Sequence, residues 1–233
     1  MATVFMTGAT GYLGRRLSAA LVARGDEVLG LVRPGSAGRL APGVKPIEGD
    51  ALSASSFAGN VPAGSTFVQL VGVPHPSPAK AEQFRTVDLA SVRAAVDAAT
   101  VAGVAHFVYV SVAQPAPIMR AYQAVRAEGE RRIRESGLRA TILRPWYVLG
   151  PGHRWPLALV PIYWLLEKWP ATREGARRLG LVTLDEMVAA LAEAVAHPPD
   201  AVRVVSVEGI RSARVERPRR AALRTTPGRS VSR

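Results

Sequence analysis

Three glycines near the N-terminus have the spacing of a phosphate-binding turn. Gly8, Gly11 and Gly14 follow a short apolar run at residues 4–6 and lead into an amphipathic stretch. In such a unit the first glycine permits a sharp turn, the second admits a pyrophosphate, and the third lets the helix pack closely. Free N–H groups at the helix N-terminus then point at the phosphates. The pattern predicts a dinucleotide site, the alternative being a plain tight turn; its residues are Gly8, Thr10, Gly11, Tyr12, Leu13 and Gly14.

The residue after the second predicted strand distinguishes NAD from NADP. An acidic side chain there bonds the ribose 2′-hydroxyl of NAD, whereas a guanidinium pairs with the 2′-phosphate of NADP. The strand at residues 27–32 ends in Arg33, and Arg39 lies in the following loop. NADP is therefore the predicted cofactor, with NAD as the alternative if Arg33 is only an exposed loop arginine. After the third strand, Asp50 and Ala51 lie where the adenine amino group is expected.

Strands and helices alternate along the chain almost to residue 207. Apolar runs predict strands at residues 4–6, 27–32, 44–47, 66–71, 104–111, 140–143 and 202–207, and helical patterns predict helices at 12–24, 79–101, 120–135 and 184–196. This alternation predicts an α/β fold with a doubly wound, mostly parallel sheet. Ligands bind beyond the carboxyl ends of such strands, which adds Val71, Gly72 and Pro145 to the predicted cofactor site.

The composition narrows the class of protein. The 233 residues suit one large α/β domain, and an apolar fraction of 48% is ample for its core. The chain has no cysteine, so disulfides and thiolate metal sites are excluded. Its four histidines are scattered without carboxylates at ligand spacing, so no metal site is predicted. With neither a signal-peptide pattern nor an apolar run of 18 residues, a cytoplasmic location is expected.

The strongly basic charge is concentrated at the C-terminus. The chain carries a net charge of +12, and residues 211–233 contain eight arginines against one acidic residue, Glu216. We therefore divide the chain into a domain at residues 1–210 and a basic, disordered tail at 211–233. Contact of the tail with RNA, anionic lipid or an acidic partner is the alternative to a solvated tail. Without interleaved aromatic residues, no specific nucleic-acid binding is expected.

The segment at residues 155–169 is rich in aromatic side chains. It contains Trp155, Trp164 and Trp169 but is broken by Pro156 and Pro161, so it is too short and too interrupted to span a membrane. Three interpretations stay open. The segment forms the apolar wall of a substrate pocket, a buried core helix, or an interfacial element.

Five segments carry a family resemblance: TGATGYLG at residues 7–14, LVRP at 31–34, EGDAL at 48–52, FVYVS at 107–111 and ILRPWYVLGPG at 142–152. Together they resemble the atypical and extended short-chain dehydrogenase/reductases, especially the NAD(P)H-binding branch related to the accessory subunit of respiratory complex I. The resemblance covers about residues 3–210. It implies a Rossmann domain with a small C-terminal substrate-side portion at residues 145–185.

The resemblance also implies three catalytic residues. Catalytic members use a Ser at the end of the fifth strand, a Tyr, and a Lys four residues after the Tyr. Ser111 matches the Ser and Tyr122 matches the Tyr, which donates or removes the proton on the substrate oxygen. The Lys position holds Arg126, a departure from the family. Positions 122 and 126 share a helix face, so Arg126 still favours the phenolate, but an arginine does not relay protons.

Two functional hypotheses follow. The first is an NADP(H)-dependent oxidoreductase or epimerase-like enzyme acting on a small, apolar carbonyl or alcohol. In it Tyr122 is the acid/base, Ser111 bonds the substrate oxygen, and Arg126 is the electrostatic partner. The second is a non-catalytic NAD(P)H-binding structural or redox-sensing protein with a degenerate site. The sequence specifies neither the substrate nor the oligomeric state. The predicted partner is a small-molecule substrate, and weak contact with a membrane surface and oligomerisation are the alternatives.

Overall fold

A seven-stranded parallel sheet organises the molecule. The computed structural model describes residues 1–116, 118–150 and 179–213. The strands are β1 (Thr3–Thr7), β2 (Glu27–Val32), β3 (Lys45–Glu48), β4 (Thr66–Gln69), β5 (His106–Val110), β6 (Ala140–Leu143), β7 (Tyr147–Leu149), β8 (Leu181–Thr183) and β9 (Val202–Val205). The main sheet has the order β3-β2-β1-β4-β5-β6-β9, while β7 and β8 form a separate parallel pair. The strand order reverses between β1 and β4, which makes their carboxyl ends the expected ligand site.

Helices connect most of the strands. They are α1 (Tyr12–Arg24), α2 (Ala81–Gln83), α3 (Ala90–Ala102), α4 (Arg120–Glu135), α5 (Leu184–Ala196) and α6 (Val207–Ser212), with a π-helical segment at Phe84–Leu89. The predicted Rossmann-like α/β fold is therefore confirmed. Within the described ranges, no helix has the length and apolar character needed to cross a membrane.

Alternating strand residues build two separate cores. Val4, Met6 and Val68 point to one face, where they pack with α1, α5 and α6. Phe5 and Phe67 point to the opposite face, toward α3 and α4. Successive side chains of a strand alternate between the two faces. Because both faces of this sheet are covered, the sequence of each central strand is an almost continuous apolar run.

A row of aromatic rings crosses the sheet on the α3 side. The ring centroids of Phe5 and Phe67 are 5.2 Å apart, and those of Phe67 and Phe107 are 5.3 Å apart. All three side chains are fully buried. The row packs the central strands β1, β4 and β5 against each other.

Several details differ from the expectations. The helix predicted at residues 79–101 is interrupted by the π-helical segment, and neither the β7–β8 pair nor α6 was predicted. Helix α6 continues to Ser212, two residues beyond the boundary set at residue 210. The aromatic segment at residues 155–169, and the tail from residue 214 onward, lie outside the described residues.

Candidate cofactor and active site

The glycine turn between β1 and α1 leaves no room for side chains. Gly8 has a φ of +72°, and its carbonyl oxygen accepts a hydrogen bond of 2.9 Å from the N–H of Gly11. A Cβ on Gly14 would lie 2.1 Å from that same oxygen, and one on Gly8 would lie 2.9 Å from the backbone of Leu70. Each substitution would produce a severe clash, so the tight turn depends on glycine at both positions.

The N-terminus of α1 is open to an anion. Its N-cap residue, Gly11, has no side chain to bond the first free N–H groups, and the first turn contains no acidic residue. Free N–H groups and the positive end of the helix dipole favour a phosphate at this place. The turn and the helix start therefore fit the pyrophosphate of a dinucleotide.

A cleft of about 680 Å³ lies over this turn. Trp146, from the loop after β6, and Leu70, after β4, form part of its apolar wall. The structure brings half of the predicted cofactor residues to this cleft together with the predicted acid/base: Gly8, Gly11, Tyr12, Leu13, Gly14, Gly72 and Tyr122.

A smaller cavity of about 210 Å³ adjoins the cleft and shares Leu13, Gly72 and Tyr122 with it. Its wall also contains Ser111 and Arg126, together with Pro145. All three predicted catalytic positions therefore line one small space. Tyr122 belongs to both volumes and connects them.

Five predicted cofactor residues do not line either volume: Thr10, Arg33, Asp50, Ala51 and Val71. The Oδ1 of Asp50 accepts a 3.0 Å hydrogen bond from the N–H of Leu52, within its own turn. Ala51 is half-buried against the core beneath the sheet. Arg33 is exposed after β2, whereas Arg39, from the same connecting segment, lines the cleft.

Ser111 is bonded to a buried carboxylate that the sequence analysis did not identify. The Ser111 hydroxyl donates a 2.6 Å hydrogen bond to Oε1 of Glu130, whose exposed fraction is 1%. Arg144 donates to both oxygens of the same carboxylate, at 2.8 and 2.5 Å. Burial raises the pKa of Glu130, but the donors Arg144 and Ser111 more than offset this, so its pKa lies below the ordinary value.

The guanidinium of Arg126 is buried and points into the protein interior. Its Nη2 lies 2.5 Å from Oδ1 of Asp88, and its Nη1 donates a 3.0 Å hydrogen bond to the carbonyl oxygen of Val110. A Cβ on Gly72 would lie 2.6 Å from Nη2, so the guanidinium packs directly against the loop after β4. The sequence analysis also did not identify Asp88. The signal for its burial was its position between two apolar residues, Val87 and Leu89.

Tyr122 lies between Arg126 and Phe84. The guanidinium carbon of Arg126 is 5.0 Å from the centre of the tyrosine ring, and the ring meets Phe84 edge-on at 5.0 Å. These contacts hold the ring while its half-buried side chain faces the cleft. The arrangement can position a phenol hydroxyl beside a substrate oxygen, above a fixed positive charge.

Comparisons with known proteins identify the family of the chain. A family model described as NAD(P)H-binding matches residues 8–153. A ceramide reductase of Caulobacter vibrioides is 32% identical over 161 residues, which are 67% of this chain and 49% of that protein. The chain thus spans about half the length of this curated relative.

Solved structures show the same fold. MoeE5 in complex with UDP-glucose and NAD has a TM-score of 0.65 at 20% identity, covering 90% of this chain and 79% of that one. UDP-glucuronic acid 4-epimerase from Bacillus cereus, in complex with NAD, has a TM-score of 0.62 at 17% identity, covering 88% and 77%. The resemblance to short-chain dehydrogenase/reductases is confirmed. The chain therefore belongs to the NAD(P)H-binding family and has its Rossmann-like fold.

Proposed function

We propose that this chain is an NADP(H)-dependent oxidoreductase or epimerase-like enzyme that acts on an apolar carbonyl or alcohol in the cytoplasm. The observation that carries the proposal is the position of Tyr122. Its side chain borders both the cleft above the glycine turn and the cavity that contains Ser111. A cofactor phosphate at the turn and a substrate oxygen at the phenol can therefore occupy one continuous space.

Different residues of the chain bind the cofactor, transfer the proton and stabilise the resulting charge. Gly8, Gly11 and Gly14 admit the pyrophosphate, and the nicotinamide cofactor, when bound, supplies or accepts a hydride. Tyr122 donates its phenol proton to the carbonyl oxygen during reduction and takes it back during oxidation. The positive charge of Arg126, 5.0 Å from the ring centre, stabilises the negative charge left on the phenol oxygen.

An apolar substrate is supported by the walls of the cleft. Leu70, Val112, Ile118, Trp146 and Val148 all contribute to it. Such a lining favours an aliphatic body, while a few polar groups fix the orientation of the reacting atoms. The similarity to a protein named ceramide reductase is consistent with this choice.

The decisive experiment replaces the phenol hydroxyl alone. Tyr122→Phe should lower carbonyl reductase turnover by at least about a hundredfold and leave NADPH affinity within about twofold, because general acid catalysis contributes at that scale. Tyr109→Phe is the comparison variant: the Tyr109 hydroxyl also accepts a hydrogen bond from Arg126, at 3.4 Å, but Tyr109 lines neither cavity, so this variant separates a disturbance of Arg126 from the loss of the Tyr122 phenol. Unchanged turnover in Tyr122→Phe would remove Tyr122 from the mechanism.

One observation favours a second candidate, a non-catalytic NAD(P)H-binding structural or redox-sensing protein. Both amino groups of Arg126 are bonded inside the protein, to Asp88 and to Val110. A cofactor that binds tightly without exchanging hydride, together with a partner protein recovered by pull-down, would support this candidate. A large gain of reductase activity in Arg126→Lys would indicate a degenerate active site.

A further inference from the structure

The hydrogen bond between Ser111 and Glu130 has a fixed direction. An ionised carboxylate has oxygens that only accept hydrogen bonds. The 2.6 Å contact between Ser111 Oγ and Glu130 Oε1 therefore uses the single hydrogen of the serine hydroxyl. Toward the cavity, Ser111 presents lone pairs and no proton.

Glu130 is held in its ionised form by the groups around it. Besides Ser111 and Arg144, its carboxylate accepts a 3.0 Å hydrogen bond from Gln114 and one of 3.1 Å from Arg134. Two guanidinium groups and two neutral donors thus surround one buried carboxylate. Protonation would replace favourable charge-assisted bonds with weaker ones, so the serine hydrogen stays committed to Glu130.

Arg126 does not restore the missing donor. Its amino groups are bonded to Asp88 and Val110, and its Nε, although without a partner in the described part of the chain, is enclosed by protein. Among the described side chains that the hypothesis places at the substrate, Tyr122 then supplies the proton and Ser111 supplies the acceptor. Both residues line the same cavity of about 210 Å³.

We propose that Glu130 makes Ser111 a hydroxyl-accepting residue, so that the site selects carbonyl compounds with a hydroxyl on the adjacent carbon. Tyr122 donates to the carbonyl oxygen, and Ser111 accepts from the neighbouring hydroxyl. This assignment of Tyr122 rests on the proposed function. A ketone without the hydroxyl leaves the lone pairs of the buried Ser111 hydroxyl without a donor, which weakens its binding.

The test measures binding of matched ligands and needs no turnover. The full-length protein is saturated with NADP⁺, and three ketones of equal alkyl chain length are titrated: hydroxymethyl, methoxymethyl and methyl. We expect the hydroxymethyl ketone to bind about tenfold more tightly than either of the others. The methoxymethyl ketone has the extra oxygen without its hydrogen, so it separates hydrogen bonding from added contact area.

Variants assign the preference to the two residues. In Ser111→Ala the affinity ratio of hydroxymethyl to methyl ketone should fall to about one, and because both ligands are measured on one variant, partial unfolding cancels. In Glu130→Gln the carboxamide can donate to Ser111, which frees the serine hydrogen. The methyl ketone should then gain affinity relative to the hydroxymethyl ketone.

Three results would overturn the inference: equal affinities in the wild-type protein, a preference that survives Ser111→Ala, or no saturable binding of any ketone. A different result bears on the proposed function. If the hydroxyl preference is present and depends on Ser111, but NADPH reduces none of the ketones, the reductase hypothesis fails and the inference stands.

Discussion

Arg126 and Asp88 form an ion pair inside the protein, with exposed side-chain fractions of 8% and 0%. The second oxygen of Asp88 accepts a 3.0 Å hydrogen bond from the N–H of Val73. The pair therefore ties α4 both to the π-helical segment and to the loop after β4. Burial raises the pKa of Asp88, and the attraction of Arg126 offsets this only in part. The ion pair thus serves to position residues more than to stabilise the fold.

Removing one partner of this ion pair should lower the free energy of unfolding more than removing both partners together. Asp88→Asn and Arg126→Met should each lower the free energy of unfolding by about 3 kcal/mol, because each leaves a buried group without its partner. The double variant should lose clearly less than the sum, with a coupling of about 1–3 kcal/mol in chemical denaturation.

The exposed pair Arg132–Asp97 provides the matched control. Its atoms are 2.6 Å apart, but the side chains are 47% and 49% exposed. The same cycle there should give a coupling below about 1 kcal/mol. Equal coupling for the two pairs would contradict the argument from burial.

Gly14 should be intolerant of even one methyl group. Gly14→Ala places a Cβ 2.1 Å from the Gly8 carbonyl oxygen, so the turn must open. We expect a loss of about 1–3 kcal/mol in stability and at least a tenfold weaker NADPH affinity, followed by fluorescence. Gly59→Ala, where a Cβ meets nothing within 4 Å, is the control and should change neither quantity.

The cations after β2 should determine cofactor preference. Arg39 lines the cleft and Arg33 does not, and neither forms an ion pair with another described residue. Arg39→Ala should weaken NADPH binding by about tenfold, and Arg33→Ala by less, with NADH affinity unchanged in both. Isothermal titration with the two nucleotides measures this preference. Equal losses for NADPH and NADH would refute a role at the 2′-phosphate.

His106 should give the protein a pH-dependent stability. The side chain is fully buried, its Nε2 is 3.0 Å from the hydroxyl of Thr141, and burial lowers its pKa from 6.5 to about 4. The unfolded chain therefore binds a proton before the folded one does. The contribution of the neutral His106 to the free energy of unfolding is complete above pH 6.5 and is lost as the pH falls toward about 4.

Over this interval the free energy of unfolding should fall by up to about 3 kcal/mol on account of His106. His106→Asn has no titrating ring at this position. Urea denaturation at both ends of the interval should show a shallower pH dependence for this variant. Parallel curves for the two proteins would exclude His106 as the cause.

The strands and long helices could be predicted because local patterns specify them. α1, α4 and α5 have the predicted bounds, since each contains an amphipathic run ended by a change in composition. β7 and β8 could not be predicted, because each is only three residues long and gains its partner from far along the chain. The π-helical segment likewise depends on packing that no local pattern encodes.

The candidate site was only partly predictable, for a different reason. Ser111, Tyr122 and Arg126 could be placed because they match a family spacing. Glu130 could not, because an acidic residue among the arginines of α4 resembles a solvent-exposed helix charge. Its burial follows from Arg144, which enters from the end of β6, and this relationship exists only in three dimensions.

The β7–β8 pair also affects how such a chain can evolve. Tyr147 lies beside Leu181 and Leu149 beside Thr183, so residues 150–180 leave from and return to one small sheet. β8 continues directly into α5, where Thr183 and Glu186 form a capping box. Doubling the length of a connection costs only about 0.6 kcal/mol in closure entropy. The length of the connection between β7 and β8 is therefore only weakly constrained by the stability of the fold, so related chains can diverge there while the nucleotide-binding turn is kept.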